Sequence, residues 1–202
     1  EGSEVKSLLK PDRVFKIETT KGEVFEAKTV VVASGRNPRP LKIPGEQKFE
    51  GKGVSFCGTC DAPFFKDKVV AVIGGGNAAL ETVLDLLPFA AKIYVLEISP
   101  RLLADEINQQ RAKKSGKAEI ILRAQILEIK GENTVEKLVY RDLTDNQDKE
   151  LTVQGVFIEI GSLPATGFLK DLVDFNDRDE IVVNPRTCET KTPGLYAAGD
   201  VT

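Results

Sequence analysis

The stretch Val69-Val70-Ala71-Val72-Ile73-Gly74-Gly75-Gly76-Asn77-Ala78-Ala79 decides the fold. It begins with five apolar residues, a run typical of a buried parallel strand. Glycines follow at once, in the pattern Gly74-x-Gly76-x-x-Ala79, and open an amphipathic helix predicted over 77–87. In such a turn the first glycine permits the tight bend and the second lets a pyrophosphate approach, while Ala79 keeps helix and strand close. The sequence therefore predicts a dinucleotide-binding turn over Gly74–Ala79.

Strands and helices alternate after this turn. The predicted order is a strand over 93–97, a helical stretch over 102–114, and strands over 120–122, 126–130, 135–141 and 150–160. Alternation of this kind specifies a βαβ unit beneath a mostly parallel sheet. We therefore predict an α/β fold with a Rossmann-like nucleotide-binding domain.

Glu97 ends the strand that follows the glycine helix, and its position bears on the choice of cofactor. A carboxylate there accepts hydrogen bonds from the ribose diol of NADH and repels the 2′-phosphate of NADPH. Arg101, four positions later, is the nearby cation that a phosphate would need. The sequence favours NADH and leaves NADPH as the alternative.

Cys57-Gly58-Thr59-Cys60 and Asp61 stand shortly before the glycine turn. A Cys-x-x-Cys pair can close a small disulfide ring, and a thiolate at a helix start is the form that exchanges disulfides. The alternative is half of a zinc site, which needs two further Cys or His ligands. The chain has no His and only one other cysteine, Cys188. We therefore predict a redox pair and no metal site within this chain.

The composition narrows the classes of protein that this chain can belong to. It has 202 residues, 41% of them apolar, with 28 basic and 31 acidic residues and a net charge of −3. There is no polycationic face for nucleic acid and no apolar run long enough to span a bilayer. Three cysteines without a wider disulfide framework favour a reducing, cytoplasmic compartment. We also expect Phe64, Phe65 and Cys188 to pack as core residues.

The residues that precede the cysteine pair have patterns of their own. Residues 13–19 and 23–27 alternate apolar and polar residues around Lys21-Gly22, which predicts a β-hairpin. Residues 29–33 form an apolar run that predicts a buried strand. Prolines 38, 40 and 44 then break regular structure, which is typical of a domain linker.

Together these residues resemble the low-molecular-weight thioredoxin reductase family and the similar flavoprotein component of bacterial alkyl hydroperoxide reductase. The resemblance covers nearly the whole chain and rests on five motifs in family order. They are Val32-Ala33-Ser34-Gly35, Cys57-Gly58-Thr59-Cys60-Asp61, Val72-Ile73-Gly74-Gly75-Gly76-Asn77, Ile160-Gly161 with Pro164, and Ala197-Ala198-Gly199-Asp200-Val201. We expect a partial chain, because it begins at Glu1, contains no Met and lacks the family's N-terminal FAD glycine motif.

The resemblance implies a domain organisation. In the family, a nucleotide domain carrying the cysteine pair interrupts an FAD domain. The implied division is a partial FAD-binding domain over 1–41, an NAD(P)H-binding domain over 42–186 and a return into the FAD-binding domain over 187–202. The chain alone is expected to bind FAD poorly and to be inactive.

The resemblance also implies site residues and a reaction. Electrons pass from the nicotinamide to FAD, then to the Cys57/Cys60 disulfide and on to a thioredoxin-like or glutaredoxin-like protein disulfide, or to a peroxiredoxin system. The implied catalytic residues are Cys57, Cys60 and Asp61, with Asp61 as proton donor or, alternatively, as the cap of the following turn. The implied cofactor-binding residues are Gly74, Gly75, Gly76, Asn77, Ala78, Ala79, Glu97 and Gly161, with Ser34, Gly35, Gly199 and Asp200 for FAD. The intact protein is expected to be a homodimer.

One departure from the family bears on the cofactor. Thioredoxin reductases that use NADPH usually carry a His-Arg-Arg-like run where this chain has Glu97-Ile98-Ser99. The peroxide-reducing relatives carry a glutamate there. An alkyl hydroperoxide reductase flavoprotein therefore stays an alternative, as does a non-catalytic nucleotide-binding domain whose cysteine pair is structural or holds a metal with a partner chain.

Overall fold

The computed structural model describes residues 2–202, and these divide into two compact units. The inner unit is Pro38–Gly161, and the outer unit consists of the residues up to Asn37 together with Ser162–Thr202. The divisions predicted from the sequence, after residues 41 and 186, differ from these. The division predicted after residue 186 differs because residues 162–186 supply Leu169, Val173 and Ile181 to the core of the outer unit, where all three are buried.

Five strands come first in the chain. They are β1 (Val5–Leu9), β2 (Phe15–Thr19), β3 (Val24–Ala27), β4 (Val30–Val32) and β5 (Arg36–Pro38). The antiparallel sheet β1-β2-β3 contains the predicted hairpin, whose turn places Gly22 at a φ of 80°. The prediction of a buried strand over 29–33 is only partly right: Val32 is buried, but Val31 is 65% exposed. Successive residues of a strand point to opposite faces. Val32 faces the outer core, and Val31 lies on the other face of the two-stranded sheet β15-β4, which the described residues leave uncovered.

The inner unit contains eight strands and three helices. They are β6 (Val54–Ser55), α1 (Gly58–Asp61), β7 (Val69–Ile73), α2 (Asn77–Leu86), β8 (Lys92–Glu97), α3 (Glu106–Lys114), β9 (Ala118–Leu122), β10 (Ala124–Lys130), β11 (Lys137–Asp142), β12 (Gln147–Thr152) and β13 (Gly155–Ile158). Short 3₁₀ turns cover Gln47–Phe49 and Ala62–Phe65. Among the described residues no helix is long and apolar enough to cross a membrane.

A five-stranded parallel sheet in the order β6-β13-β7-β8-β9 forms the centre of the inner unit. Strand β7 has apolar neighbours on both faces, since Val70 and Val72 pack with helix α2 while Ala71 and Ile73 pack under the antiparallel sheet β10-β11-β12. Each fully buried valine or isoleucine contributes roughly 1.5–3 kcal/mol to folding. Strand β7 is buried on both faces and pairs in parallel with β13 and β8, which confirms the parallel strand predicted from its apolar run.

Two predicted elements of this unit are wrong in detail. The strand predicted over 150–160 is two strands in different sheets, β12 and β13, because Gln154 donates its backbone N–H to Val69 and starts a new alignment. The helix predicted over 102–114 begins only at Glu106, because the N–H groups of Leu103 and Ala104 both donate to the carbonyl oxygen of Gly75, at 2.8 and 2.9 Å.

The last part of the chain returns to the outer unit with β14 (Ser162–Pro164), a 3₁₀ turn at Lys170–Leu172, and β15 (Leu195–Ala197). Strand β14 pairs with β5, and β15 lies parallel to β4 with Leu195 opposite Val30 and Ala197 opposite Val32.

The expectation that Phe64, Phe65 and Cys188 pack in the core holds for one of the three. Phe65 is buried against Phe157, with ring centroids 5.0 Å apart. Phe64 is 73% exposed, and Cys188 is exposed as a free thiol at a φ of 59°. The prediction is wrong for Phe64 because periodicity does not separate adjacent residues in an irregular turn, and wrong for Cys188 because the usual burial of lone cysteines is only a tendency.

Candidate functional site

Cys57 and Cys60 are joined by a disulfide, with their Cα atoms 5.4 Å apart. Cys57 caps the start of α1, where its Sγ accepts a hydrogen bond from the backbone N–H of Cys60 at 3.3 Å. Its own N–H donates to Oγ of Ser55 at 3.1 Å, so the turn is fixed from both sides. Cys60 is exposed and Cys57 is half-buried. Hydrogen bonds thus hold the cysteine pair in one turn, and Cys60 is exposed to solvent.

Asp61 is the last residue of α1 and is half-buried. Its N–H donates to the carbonyl oxygen of Cys57 at 3.2 Å. The Asp61 carboxylate makes no capping hydrogen bond to the turn that follows, so the capping alternative is not what the structure shows. Asp61 instead lines an open cleft of about 610 Å³ together with Ser55, Phe64 and Lys68. A carboxyl group in this place can exchange protons with groups that enter the cleft.

The three glycines of the nucleotide turn have different surroundings. A Cβ on Gly74 would lie 2.3 Å from the carbonyl oxygen of Glu159, and its φ of 125° also excludes most side chains. At Gly75 a Cβ would lie 2.7 Å from the Glu97 carboxylate. Gly76 has no atom within 4 Å of its Cβ position, so it leaves open space at the start of α2. An open cradle at a helix start fits the pyrophosphate of a dinucleotide.

Glu97 lies beside this turn, at the end of β8. It is only 9% exposed, and one carboxylate oxygen accepts the N–H of Ser99 at 2.8 Å. It also lines an apolar pocket of about 270 Å³ with Gly74 and Ile98. Arg101 is exposed on the surface. The structure therefore brings Glu97, and not the arginine, against the glycine turn.

Asn77 and Ala78 are exposed at the first turn of α2, while Ala79 is buried against the sheet. The side chain of Asn77 forms a reciprocal pair with Asp105: its Oδ1 accepts the N–H of Asp105 at 2.7 Å, and its Nδ2 donates to the carboxylate at 3.2 Å. Asp105 was not expected from the sequence. Its only signal is its place just before helix α3.

Glu159 is a second residue that the sequence analysis missed. It follows β13, and its carboxylate accepts a hydrogen bond from Oγ1 of Thr82 at 2.8 Å. Burial raises the pKa of Glu159, and the like charge of Glu81 acts in the same direction. The available signal was a charged residue inside the otherwise apolar run Val156-Phe157-Ile158-Glu159-Ile160.

In the outer unit, the residues proposed to approach FAD come together. Strands β4 and β15 are parallel neighbours, so Ser34-Gly35 and Gly199-Asp200, which follow them, meet at one edge. The N–H of Ala198 donates to the carbonyl oxygen of Val32 at 3.0 Å, and Ser34 Oγ donates to Ala165. Gly35 and Gly199 have φ values of 66° and 81° and no atom close to their Cβ positions. This edge therefore has open backbone that fits close approach by a ligand.

Arg36 was also missed by the sequence analysis. Its guanidinium donates to Oγ and the carbonyl oxygen of Ser162, at 2.8 and 3.0 Å, and to the carboxylate of Glu180 at 3.0 Å. A longer contact of 3.4 Å reaches the carbonyl oxygen of Asp200. Hydrogen bonds from Asn176 and then from Arg36 lower the pKa of Glu180. Arg36 thus fixes the backbone beside the Gly199-Asp200 turn.

Gly161 is the last residue of the inner unit. It is exposed, has a φ of 94°, and its carbonyl oxygen accepts the N–H of Arg39 at 2.9 Å. Across residues 2–202, no group of three or more Cys, His, Asp or Glu side chains is arranged to hold a metal.

Comparison with known proteins places this geometry in a family. The pyridine nucleotide-disulphide oxidoreductase family matches the chain over residues 1–202. An alkyl hydroperoxide reductase component of Staphylococcus aureus (strain MRSA252) is 40% identical over 201 residues, which is 100% of this chain and 39% of the relative. A Bacillus subtilis (strain 168) protein named NADH dehydrogenase is 41% identical over 197 residues, covering 98% of this chain and 38% of that protein. The chain thus spans about two fifths of the length of these curated relatives.

Solved structures show the same fold. Thioredoxin reductase of T. acidophilum has a TM-score of 0.84 and 38% identity, over 100% of this chain and 66% of the other. The Lactococcus lactis thioredoxin reductase in its FR conformation has a TM-score of 0.85 and 34% identity, over 98% and 65%. These similarities confirm the predicted α/β fold and the resemblance drawn from the five motifs. The chain belongs to the pyridine nucleotide-disulphide oxidoreductase family.

Proposed function

We propose that the full-length protein passes electrons from NADH, through FAD, to the Cys57–Cys60 disulfide, and that the resulting dithiol reduces a disulfide of a partner protein. The observation that carries this proposal is that disulfide itself, formed in the same compact unit as the open cradle at Gly76. A nucleotide-binding turn and an exchangeable disulfide in one unit are the two ends of such an electron path.

The chain's own residues have distinct tasks in this reaction. The cradle at Gly74–Ala79 binds the cofactor's pyrophosphate, and Glu97 accepts hydrogen bonds from its ribose diol. FAD, held at the edge formed by Ser34-Gly35 and Gly199-Asp200, supplies two-electron transfer between nicotinamide and disulfide. Two electrons break the sulfur–sulfur bond of Cys57–Cys60. Asp61 in the adjacent cleft gives a proton to the departing sulfur, which leaves a thiol and a thiolate.

The proposed partner is a thioredoxin-like or glutaredoxin-like disulfide protein. Exposure of Cys60 supports exchange with a protein, because a partner's sulfur can reach it from solvent. The Staphylococcus aureus relative, named for alkyl hydroperoxide reductase, supports a second candidate, delivery of electrons to a peroxiredoxin system. Rates of NADH oxidation with thioredoxin and with a peroxiredoxin as acceptors separate the two. By its resemblance to the family, the full-length protein is proposed to act as a homodimer.

The proposal is tested by counting electrons. Anaerobic NADH titration of the full-length, FAD-loaded protein is expected to consume about four electrons per flavin, because flavin and disulfide each take two. In the same titration, flavin absorbance measures the two electrons that reach the flavin, and thiol alkylation measures the two that reach the disulfide. Uptake of about two electrons, with Cys57 and Cys60 still oxidised, would refute electron transfer to the disulfide and leave a simple flavin reductase.

Cofactor preference gives a second prediction. Glu97→Gln in the full-length protein is expected to reduce the preference for NADH over NADPH about tenfold, because the amide keeps its bond to Ser99 but no longer repels a 2′-phosphate. Dissociation constants for both nucleotides, from fluorescence titration, measure the ratio. Glu119→Gln is the matched control, since Glu119 is an exposed carboxylate on the neighbouring strand β9. An unchanged ratio in Glu97→Gln would show that Glu97 does not select the cofactor.

A further inference from the structure

Glu159 contacts both motifs on which the proposed function depends. Its backbone carbonyl oxygen lies against Gly74 of the nucleotide turn, where a Cβ would come within 2.3 Å. Its side chain reaches the other way, to Thr82 and the neighbouring Gly58, the residue next to Cys57. One residue thus links the two turns, and nothing in the proposed electron path uses its carboxylate.

The carboxylate is held in place by its surroundings. Thr82, which is 4% exposed on helix α2, donates its hydroxyl to Oε1 of Glu159 at 2.8 Å. Gly58 is packed so tightly on the same threonine that a Cβ would lie 2.4 Å from Oγ1. Because Gly58 has no side chain, the cysteine turn can lie against Thr82, close to the Glu159 carboxylate. The three residues form one contact between α1, α2 and the end of β13.

The charge of this group has a consequence for the cysteines. Reduction of the disulfide takes two electrons, breaks the sulfur–sulfur bond and, with uptake of one proton, leaves a thiol and a thiolate, the form that exchanges disulfides. A carboxylate beside Gly58, the residue that follows Cys57, repels a thiolate formed on this turn, and the repulsion is stronger in a partly buried place than in water. Glu81 of α2 is the other charged group that acts on Glu159, and it adds to the negative potential.

We propose that Glu159 is a positioning residue that, through the negative charge it holds against Thr82 and Gly58, makes the Cys57–Cys60 disulfide harder to reduce. This inference rests on the proposed function, in which that pair is redox-active. A disulfide that resists reduction yields a dithiol that passes its electrons on more readily. Glu159 thereby favours delivery of electrons to the partner over their retention in the protein.

The test uses the full-length, FAD-loaded protein in dithiothreitol redox buffers at pH 8, with the reduced fraction of Cys57 and Cys60 counted by alkylation and mass. Dithiothreitol gives up two electrons and its two thiol protons and closes to a cyclic disulfide. Glu159→Gln removes the charge and keeps an amide that can still bond the hydroxyl of Thr82. We expect its equilibrium constant for reduction to rise about tenfold, which is about 30 mV less negative. Glu159→Asp, which keeps the charge, is expected to stay near wild type.

Glu119→Gln is the control for removing one negative charge elsewhere, and we expect no change in its equilibrium constant. A folded Glu159→Gln protein that reduces at the wild-type potential would overturn this inference and leave the proposed function standing. Should glutamine prevent folding, Glu159→Ala removes the same charge and is judged by the same criterion. A wild-type pair that NADH never reduces, although dithiothreitol does, would instead refute the proposed function.

Discussion

Cys57→Ser in the full-length protein is expected to lower NADH-dependent reduction of a partner disulfide by about 1,000-fold or more, because serine can neither form the disulfide with Cys60 nor act as a thiolate. The flavin is still expected to accept two electrons from NADH, since the nucleotide turn and Glu97 are untouched. Stopped-flow absorbance measures flavin reduction, and steady-state NADH oxidation with a thioredoxin-like acceptor measures turnover.

Cys188→Ser provides the matched control, as it removes the third cysteine by the same change. Cys188 is a free, exposed thiol of the outer unit, and its loss is expected to leave both rates unchanged. If Cys57→Ser kept its turnover with the acceptor, electrons would reach the partner without the Cys57–Cys60 pair. The pair would then be structural, as in the alternative of a non-catalytic cysteine pair.

The stretch from Val69 to Ala79 could be interpreted from sequence because its signals are local. A continuous apolar run, a glycine turn and an amphipathic helix each follow from contacts between residues close in the chain. The cysteine pair was recognisable for the same reason, since both sulfurs belong to one turn. The structure confirms the strand and the helix to within a residue at each end.

Glu159 and Arg36 could not be found in this way, because their roles arise from contacts between distant parts of the chain. The Glu159 carboxylate contacts Thr82 and Gly58, and Arg36 reaches Ser162 and Glu180. Neither residue belongs to a motif with a fixed spacing. A charged side chain in an apolar run is a weak signal until the fold supplies its partner.

Strand ends were harder to predict than strand interiors. Residues 150–160 look like one apolar strand, yet they form two strands in different sheets, since the Gln154 N–H bonds Val69 and aligns β13 with β7. Gly155, the first residue of β13, must be a glycine because a Cβ there would lie 2.2 Å from the ring of Phe65. A contact between residues so distant in sequence leaves no local pattern from which it could be predicted. Residues 162–186 belong to the outer unit and not, as predicted, to the inner one, because Leu169 and Val173 pack in the outer core.

The surroundings of the glycines lead to the second large effect. A methyl group on Gly74 would meet the Glu159 carbonyl oxygen at 2.3 Å and would force a side chain into a φ of 125°. Gly76, two residues later, has open space at its Cβ position and an ordinary φ of −87°. The same substitution at the two sites therefore separates a clash within the protein from a clash with the bound nucleotide.

Gly74→Ala is expected to destabilise the full-length protein by about 3 kcal/mol or more, since the strained backbone costs about 1–3 kcal/mol and the clash with a carbonyl oxygen adds to it. Gly76→Ala is expected to change stability by less than about 1 kcal/mol and to weaken NADH binding about 100-fold, because the methyl occupies the place that the pyrophosphate needs. Urea denaturation and NADH fluorescence titration measure the two quantities on each variant. Normal NADH affinity in a stable Gly76→Ala protein would show that the pyrophosphate does not lie on this turn. That result would remove the cradle from the proposed electron path while leaving the disulfide in place.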